Sequence, residues 1–319
     1  MDELMEDVAS FVVASEETGK RLDQVLTTRF GEGRSRTCLQ ALIEKGCVTL
    51  NGSIPKKRTV LALGDEIVVA FARPPDISVA PEPIPLDILY EDAYLLAINK
   101  PIGMVVHPAV GHWTGTFVNA LAHHCVQQGI SLPDLEHSYR PGIVHRLDKD
   151  TSGVLLAAKT LQAQLKISEL FANRQIYKEY LAVCLGTPGD HLIQAPIGRH
   201  QTDRKKMSVT AAGKPATTHC KTLFSNGKIS AVSLILETGR MHQIRVHLQH
   251  HGTPVLGDQV YGCSAANAKY EANRQLLHAR RLQFFHPFLE RMIEIVAPPP
   301  SDIAHWLQKL EKKKDVKGL

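Results

Sequence analysis

The chain has 319 residues, a formal net charge of +5 at neutral pH and an apolar content of 44%. Its length exceeds the usual size of one domain, so we expect one large core and a smaller second one. The first residues lack a basic region followed by an apolar run, and eighteen apolar residues never occur together. We therefore expect neither a secretory signal nor a membrane span.

Cysteine and histidine usage narrows the class of protein further. The six cysteines are far apart and form no Cys-x-x-Cys pair, which predicts reduced thiols and a cytoplasmic location. The sixteen histidines include no His-Glu-x-x-His sequence, so we expect no catalytic metal.

Residues 1–72 predict a small module of two helices and a hairpin, with an ordered core over about 18–71. Apolar residues at helical spacing predict a helix from Lys20 to Phe30 and a second one from Ser35 to Gly46. The turn pair Asn51-Gly52 follows a short predicted strand, and a later strand spans 66–71. Between residues 33 and 58 only Glu44 opposes six basic side chains, which are Arg34, Arg36, Lys45, Lys56, Lys57 and Arg58.

A larger domain is expected to follow a proline-rich linker over residues 73–85. From 86 to 300, short apolar runs alternate with two predicted helices, 116–125 and 162–173, which favours a mixed α/β domain over a barrel or sandwich. The runs cover 94–98, 153–158, 180–185, 231–236 and 292–296. Residues 301–319 read as a basic carboxyl-terminal tail.

Two segments concentrate polar groups next to predicted strands. His145–Gly153 packs charges and hydroxyls into a turn before an apolar strand, where Asp148 or Asp150 can present a carboxylate or simply satisfy backbone amides. Thr238–His247 follows another strand and becomes helical. By itself the second segment is equally consistent with a basic helix face.

These segments, together with Asn99–Pro108 and Tyr177–Ala182, closely resemble the ribosomal large-subunit pseudouridine synthases of the RluA and RluD type. The resemblance covers residues 86–298. It implies an α+β fold with a mixed, largely antiparallel sheet, preceded by a small α/β domain. That first domain resembles the alpha-L RNA-binding domain through Arg21-Leu22-Asp23, Ser35-Arg36 and Val48–Gly52.

The resemblance also implies an isomerase that needs no cofactor and converts uridines of 23S ribosomal RNA, free or in an assembly particle, into pseudouridine. It implies Asp148 as nucleophile, Tyr180 against the uracil and Arg245 paired with Asp148. Such an enzyme must flip its target base out of the RNA stack. Phosphate contacts that offset this cost are predicted for Arg34, Arg36, Lys56, Lys57, Arg58, Arg146, Arg199, Arg204, Lys205 and Lys206.

Two other classes of function stay open. A noncatalytic RNA-binding or assembly protein needs only the basic first module, but leaves His145–Gly153 without a role. A nucleoside hydrolase that uses the same carboxylate would release free uracil instead of retaining it. We expect no membrane association and no obligate protein partner.

Overall fold

The structure, a computed structural model, describes residues 7–30, 36–44, 46–71, 79–108, 113–130, 132, 140–203 and 206–315. The chain divides into two units between Ile77 and Ser78. Within the described ranges, no helix has both the length and the apolar character needed to cross a membrane.

The first unit combines three strands with two α-helices. In chain order they are β1 (Asp7–Val12), α1 (Leu22–Phe30), α2 (Arg36–Glu44), β2 (Val48–Leu50) and β3 (Glu66–Phe71). The strands pair antiparallel in the order β1-β3-β2. Apolar residues of both helices, such as Leu26 and Leu39, pack with Ile67 and Val69 of the sheet. The two predicted helices and the strands after them are confirmed, whereas β1 was not predicted.

The predicted Asn51-Gly52 turn is also confirmed. Both residues have positive φ, 50° and 76°, as a two-residue hairpin turn of type I′ requires. The backbones of Leu50 and Ser53 exchange hydrogen bonds across the turn at 2.8 and 3.0 Å.

The second unit is built around one large sheet. Its elements in chain order are β4 (Ile88–Glu91), β5 (Leu95–Lys100), α3 (Phe117–Gln127), β6 (Ser152–Ala158), α4 (Leu161–Ala172), β7 (Tyr177–Leu185), β8 (His191–Gln194), β9 (Ile197–Arg199), β10 (Met207–Val209), β11 (Thr217–Ser225), β12 (Ile229–Leu236), α5 (Gln243–His250), α6 (Ser264–Lys269), β13 (Leu277–His286), β14 (Arg291–Val296) and α7 (Ser301–Asp315).

Nine strands of the described residues form this sheet, in the order β4-β5-β6-β13-β7-β12-β11-β8, with β14 paired to β13. The β6–β13 pair is parallel and the other pairs are antiparallel. Strands β9 and β10 form a separate pair. The expected α+β class with a mixed, largely antiparallel sheet is therefore confirmed.

Helices cover both faces of the sheet, which explains the uninterrupted apolar runs in its strands. On β5, Leu96 and Ile98 pack in one core with α3, while Leu95 and Ala97 pack in another with α4. Farther along the sheet, α5 packs with alternate residues of β7 and α7 with the residues between them. Tyr180 contacts both the α3 and the α5 core, so it lies on the face that these two helices cover.

Residues 301–315 form a packed helix, where the sequence had suggested a tail. Ile303, Trp306 and Leu310 are buried against Val183 and Ile229 of the sheet. Their spacing of three and four residues places them on one face of α7. The sequence prediction of a tail rested on the lysines around position 312 and did not consider this short apolar stripe. Residues 316–319 lie outside the described residues.

Gly153 allows β6 and β13 to approach closely just after the polar 145–152 loop. Its φ is +109°, and a β-carbon there would lie 2.7 Å from the backbone nitrogen of Ala279. Only glycine fits both the conformation and the space. This close approach fixes where the polar loop leaves the sheet.

Candidate active site

The loop that carries Asp148 is anchored on both sides of this residue. His145 accepts a 2.9 Å hydrogen bond from the backbone N–H of Leu156 and stacks on Phe171, and Leu147 is buried in the α3 core. Burial lowers the pKa of His145 to about 3, which keeps it a neutral acceptor. Asp148 is left partly exposed, with 20% of its side chain accessible.

Lys100, at the end of β5, fixes the other side of the loop. Its side chain is fully buried and its ammonium donates to the carbonyl oxygens of Pro101, Met104 and Lys149 at 2.7, 3.0 and 2.9 Å. Gly103 N–H donates to the same Lys149 carbonyl at 3.0 Å. The carbonyl of Lys149, the residue after Asp148, therefore accepts hydrogen bonds from both Lys100 and Gly103.

Arg245 on α5 joins two carboxylates. Its Nε and Nη2 donate to Asp258 at 2.7 and 2.9 Å, and Nη1 donates to Oδ2 of Asp148 at 2.8 Å. Asp258 has no exposed side chain and also accepts the backbone N–H groups of Val260 and Tyr261. These donors hold the pKa of Asp258 below its usual range despite burial, and the two carboxylates raise the pKa of Arg245.

His242 immediately precedes α5 and faces the other oxygen of Asp148. Its Nε2 lies 3.8 Å from Asp148 Oδ1, and its Nδ1 lies 2.8 Å from the Tyr261 hydroxyl. That hydroxyl accepts the backbone N–H of Met207 at 2.7 Å. The two Asp148 oxygens therefore have different neighbours, since Arg245 binds Oδ2 while Oδ1 has no hydrogen bond from a described residue.

Tyr180 lies on β7, on the sheet face that α3 and α5 cover, and is half-buried. Its hydroxyl has no hydrogen-bond partner among the residues that the structure describes. Burial raises the pKa of Tyr180, and the negative charge of Asp148 raises it further. The structure thus brings together the three residues that the sequence had selected, Asp148, Tyr180 and Arg245.

The predicted RNA-binding residues are distributed over both units. In the first unit, Lys56 and Arg58 are exposed and Lys57 pairs with Glu44 at 2.7 Å, while Arg36 begins α2. In the second unit, Arg146 and Arg199 are exposed. The Nζ atom of Lys206 lies 3.9 Å from Oδ2 of Asp203. Arg34, Arg204 and Lys205 lie outside the described residues.

Sequence reasoning had given no role to Lys100, His242, Asp258 or Tyr261. Lys100 and His242 stand inside segments that were recognised by resemblance, whereas Asp258 and Tyr261 lie only within the resembling range 86–298. The contacts of all four join residues that are not neighbours in sequence. A buried lysine or a second carboxylate on one arginine leaves no local periodicity. Asp258 gave no local signal either, because its burial, and with it its need for a cation, follows only from the fold.

Known proteins that are similar to this chain are RNA pseudouridine synthases. A protein of Bacillus subtilis strain 168, "Uncharacterized RNA pseudouridine synthase YlyB", is 42% identical over 304 residues, which cover 94% of this chain and 98% of that protein. "Ribosomal large subunit pseudouridine synthase D" of Nitrosomonas europaea is 41% identical over 310 residues, 95% of this chain and 88% of that protein.

A solved structure, "Human RNA Pseudouridylate Synthase Domain Containing 4", superposes with a TM-score of 0.55 at 28% identity and covers 70% of this chain and 92% of that one. The family model for RNA pseudouridylate synthase matches residues 94–250, which include Asp148, Tyr180 and Arg245. The chain therefore belongs to the RNA pseudouridine synthases, isomerases that act on RNA.

Proposed function

We propose that this enzyme converts specific uridines of large-subunit ribosomal RNA into pseudouridine, with Asp148 as its nucleophile. The observation that carries the proposal is the placement of Asp148, a partly exposed carboxylate whose Oδ2 is bound by a buried arginine. The RNA class is supported by relatives such as the Nitrosomonas protein, whose name gives the ribosomal large subunit as its target.

The reaction needs few chemical groups. The bond between ribose C1′ and uracil N1 breaks, the base turns, C1′ bonds to C5, and the proton on C5 is lost while N1 gains one. Nothing is oxidised and no group is consumed. A carboxylate can attack C1′ or stabilise positive charge on the sugar, as in glycoside hydrolysis. It can also help to form an eliminated sugar, and the geometry at Asp148 fits both routes.

Arg245 would pair with the Asp148 carboxylate and direct it towards the sugar. Because Asp258 occupies two nitrogens of the guanidinium, only Nη1 is left to reach Asp148. Arg245 is thus a fixed donor whose direction is set by a second carboxylate.

Tyr180 would hold the uracil and help to move the proton from C5. Its ring offers a stacking surface for an unstacked base. In the free enzyme burial and the charge of Asp148 both raise the pKa of Tyr180, so the hydroxyl is protonated. If Asp148 forms an ester with C1′, the carboxylate loses its negative charge. Burial is then the one remaining cause, of these two, that raises the pKa of Tyr180. Bond formation at Asp148 would therefore lower the pKa of Tyr180 and let the phenol give up its own proton more readily, as it must before its oxygen can accept the proton from C5.

RNA binding would involve both units. Flipping a stacked uridine costs a few kcal/mol, which phosphate contacts must offset. In the first unit Lys56, Lys57 and Arg58 are suited to this role, as part of an RNA-binding domain over residues 1–72. Near Asp148, the exposed Arg146 is suited to contact the target nucleotide. A cytoplasmic location fits an RNA substrate and the free cysteines of the described residues.

Mapping pseudouridine in ribosomal RNA tests the proposal. Unmodified large-subunit RNA, and separately precursor particles, are incubated with wild-type or Asp148→Asn enzyme, derivatised chemically and read by primer extension. We expect stops at a few uridines with the wild type and none with the variant. Equal RNA binding without stops from either protein would favour an assembly factor, and release of free uracil would favour a hydrolase.

A further inference from the structure

A chain of hydrogen bonds favours one tautomer of His242. The backbone N–H of Met207 donates to the Tyr261 hydroxyl oxygen at 2.7 Å, and this oxygen lies 2.8 Å from His242 Nδ1. A phenol has one proton, and among the described residues Nδ1 is its acceptor. When the phenol donates to Nδ1, the neutral ring carries its hydrogen on Nε2.

Nε2 of His242 faces Asp148 across a short gap. His242 has a φ of 57°, a left-handed conformation that is uncommon for residues other than glycine. Nε2 lies 3.8 Å from Asp148 Oδ1, which is too far for a direct hydrogen bond. One oxygen atom placed between the two can lie within hydrogen-bond distance of both. Burial lowers the pKa of His242, so near neutral pH the gap has one donor, Nε2–H, and one acceptor, Oδ1.

Ribose stereochemistry supplies an oxygen for this gap. In a ribonucleoside the base and the 2′-hydroxyl lie on opposite faces of the sugar. A carboxylate that approaches C1′ opposite the base therefore approaches on the face of the 2′-hydroxyl, which is bonded to the neighbouring carbon. That hydroxyl can accept from one group and donate to another.

We propose that His242 binds the 2′-hydroxyl of the target uridine, accepting no proton from it and donating Nε2–H to its oxygen. The hydroxyl in turn donates to Oδ1 of Asp148. His242 is then a substrate-binding residue that makes the site selective for ribose, and Tyr261 is the positioning residue that holds its tautomer. This inference rests on the proposed function, in which Asp148 acts on the sugar of the target nucleotide.

A double-mutant cycle between protein and RNA tests the contact. The probes are a synthetic RNA fragment that spans a uridine modified by the wild type, and the same fragment with 2′-deoxyuridine at that position. Rates of pseudouridine formation are measured in single turnover with saturating wild-type or His242→Asn enzyme. Asparagine tolerates the left-handed backbone, but its amide is too short to fill the gap.

One lost hydrogen bond corresponds to roughly a tenfold change in rate. We expect the wild type to prefer the ribose probe about tenfold, and His242→Asn to lose this preference by slowing on the ribose probe alone. His242→Gln, whose amide reaches farther, should regain part of the preference. Tyr261→Phe, which releases the tautomer, should reduce it while keeping the imidazole. His219→Gln, at an exposed histidine of β11, should behave as wild type.

Equal slowing of both probes by His242→Asn would overturn the contact, as would an unchanged preference in that variant. Failure of the proposed function has a different signature. It would appear as activity retained in Asp148→Asn, or as no pseudouridine from the wild type on the ribose probe, and it would remove the inference as well.

Discussion

Asp258 binds the Arg245 guanidinium through both carboxylate oxygens, at 2.7 and 2.9 Å. Neither side chain is appreciably exposed, since their accessible fractions are 0% and 6%. Asp148 receives only the remaining contact from Nη1. Asp258 therefore determines the direction in which the arginine meets the proposed nucleophile, although its own side chain is fully buried.

Replacing Asp258 by Asn should destabilise the fold and slow the reaction. Removal of one partner of a buried ion pair costs about 3–5 kcal/mol, because Arg245 would keep its charge with one carboxylate instead of two. Thermal unfolding and single-turnover rates measure the two effects. The matched control is Asp302→Asn, because Asp302 also binds an arginine through two oxygens but is 39% exposed. We expect at most about 1 kcal/mol there, and equal losses would contradict a special role for burial.

Tyr180→Phe should separate stacking from proton transfer. The hydroxyl has no hydrogen-bond partner among the described residues, so its removal should change the free energy of unfolding by no more than about 0.5 kcal/mol. RNA affinity should persist because the ring remains, whereas the rate of pseudouridine formation should fall at least tenfold, as for loss of a general acid or base. Chemical denaturation, RNA binding and single-turnover rates check the three statements. A fully active variant would mean that the C5 proton leaves by another route.

Lys100 should make stability depend on pH. Burial lowers its pKa to about 7, whereas an unfolded lysine titrates near 10.4. Between these values the unfolded chain binds more protons, so this residue makes the folded state gain stability as pH rises from about 7 to 10, by at most about 1.4 kcal/mol per unit. Below pH 7 its contribution is constant. The difference in unfolding free energy between wild type and Lys100→Met, measured at pH 7, 8 and 9, should therefore grow in favour of the wild type, and a flat difference would contradict the burial effect.

The basic residues of the first unit should determine the salt dependence of RNA binding. Replacing Lys56, Lys57 and Arg58 together by Gln should lower affinity and reduce the slope of log affinity against log salt, by roughly 0.7–0.9 for each lost phosphate contact. Fluorescence anisotropy with a ribosomal RNA fragment measures this slope. The charge-matched control replaces three exposed lysines, Lys228, Lys309 and Lys312. Identical slopes in both variants would contradict a contribution of these first-unit residues to RNA binding.

Local sequence patterns predicted those elements of the fold that depend mainly on residues close together in the sequence. Helices α1, α3 and α4 follow from apolar spacing, and the Asn51-Gly52 turn follows from residues that tolerate positive φ. Strand β1 was missed because it belongs to an acidic segment and pairs with β3 some sixty residues away. The parallel pairing of β6 with β13 was equally invisible, because no periodicity encodes a contact between residues 153 and 279.

Some residues of the candidate site could be predicted from the sequence, and others could be identified only from the structure. The resemblance of several segments, in the same order along the chain, selected Asp148, Tyr180 and Arg245. In the structure Arg245 binds Asp148, and Tyr180 is close enough for the Asp148 charge to raise its pKa. Lys100 and Asp258 act through contacts made only after folding, since Lys100 Nζ reaches a carbonyl 49 residues away. Tertiary contacts of this kind determine which polar residue of a recognised segment faces the protein and which faces the substrate.

The most direct test of the central claim compares two neighbouring carboxylates. Large-subunit RNA transcribed with uridine tritiated at C5 releases tritium only when the C5 proton is lost. Asp148→Asn should release tritium at least a thousandfold more slowly than the wild type, as expected for loss of a nucleophile. Asp150→Asn, two residues away and without a side-chain hydrogen bond among the described residues, should stay within tenfold of the wild type. The reverse order, or equal rates in the Asp148 variant and the wild type, would contradict the assignment of Asp148 as the nucleophile.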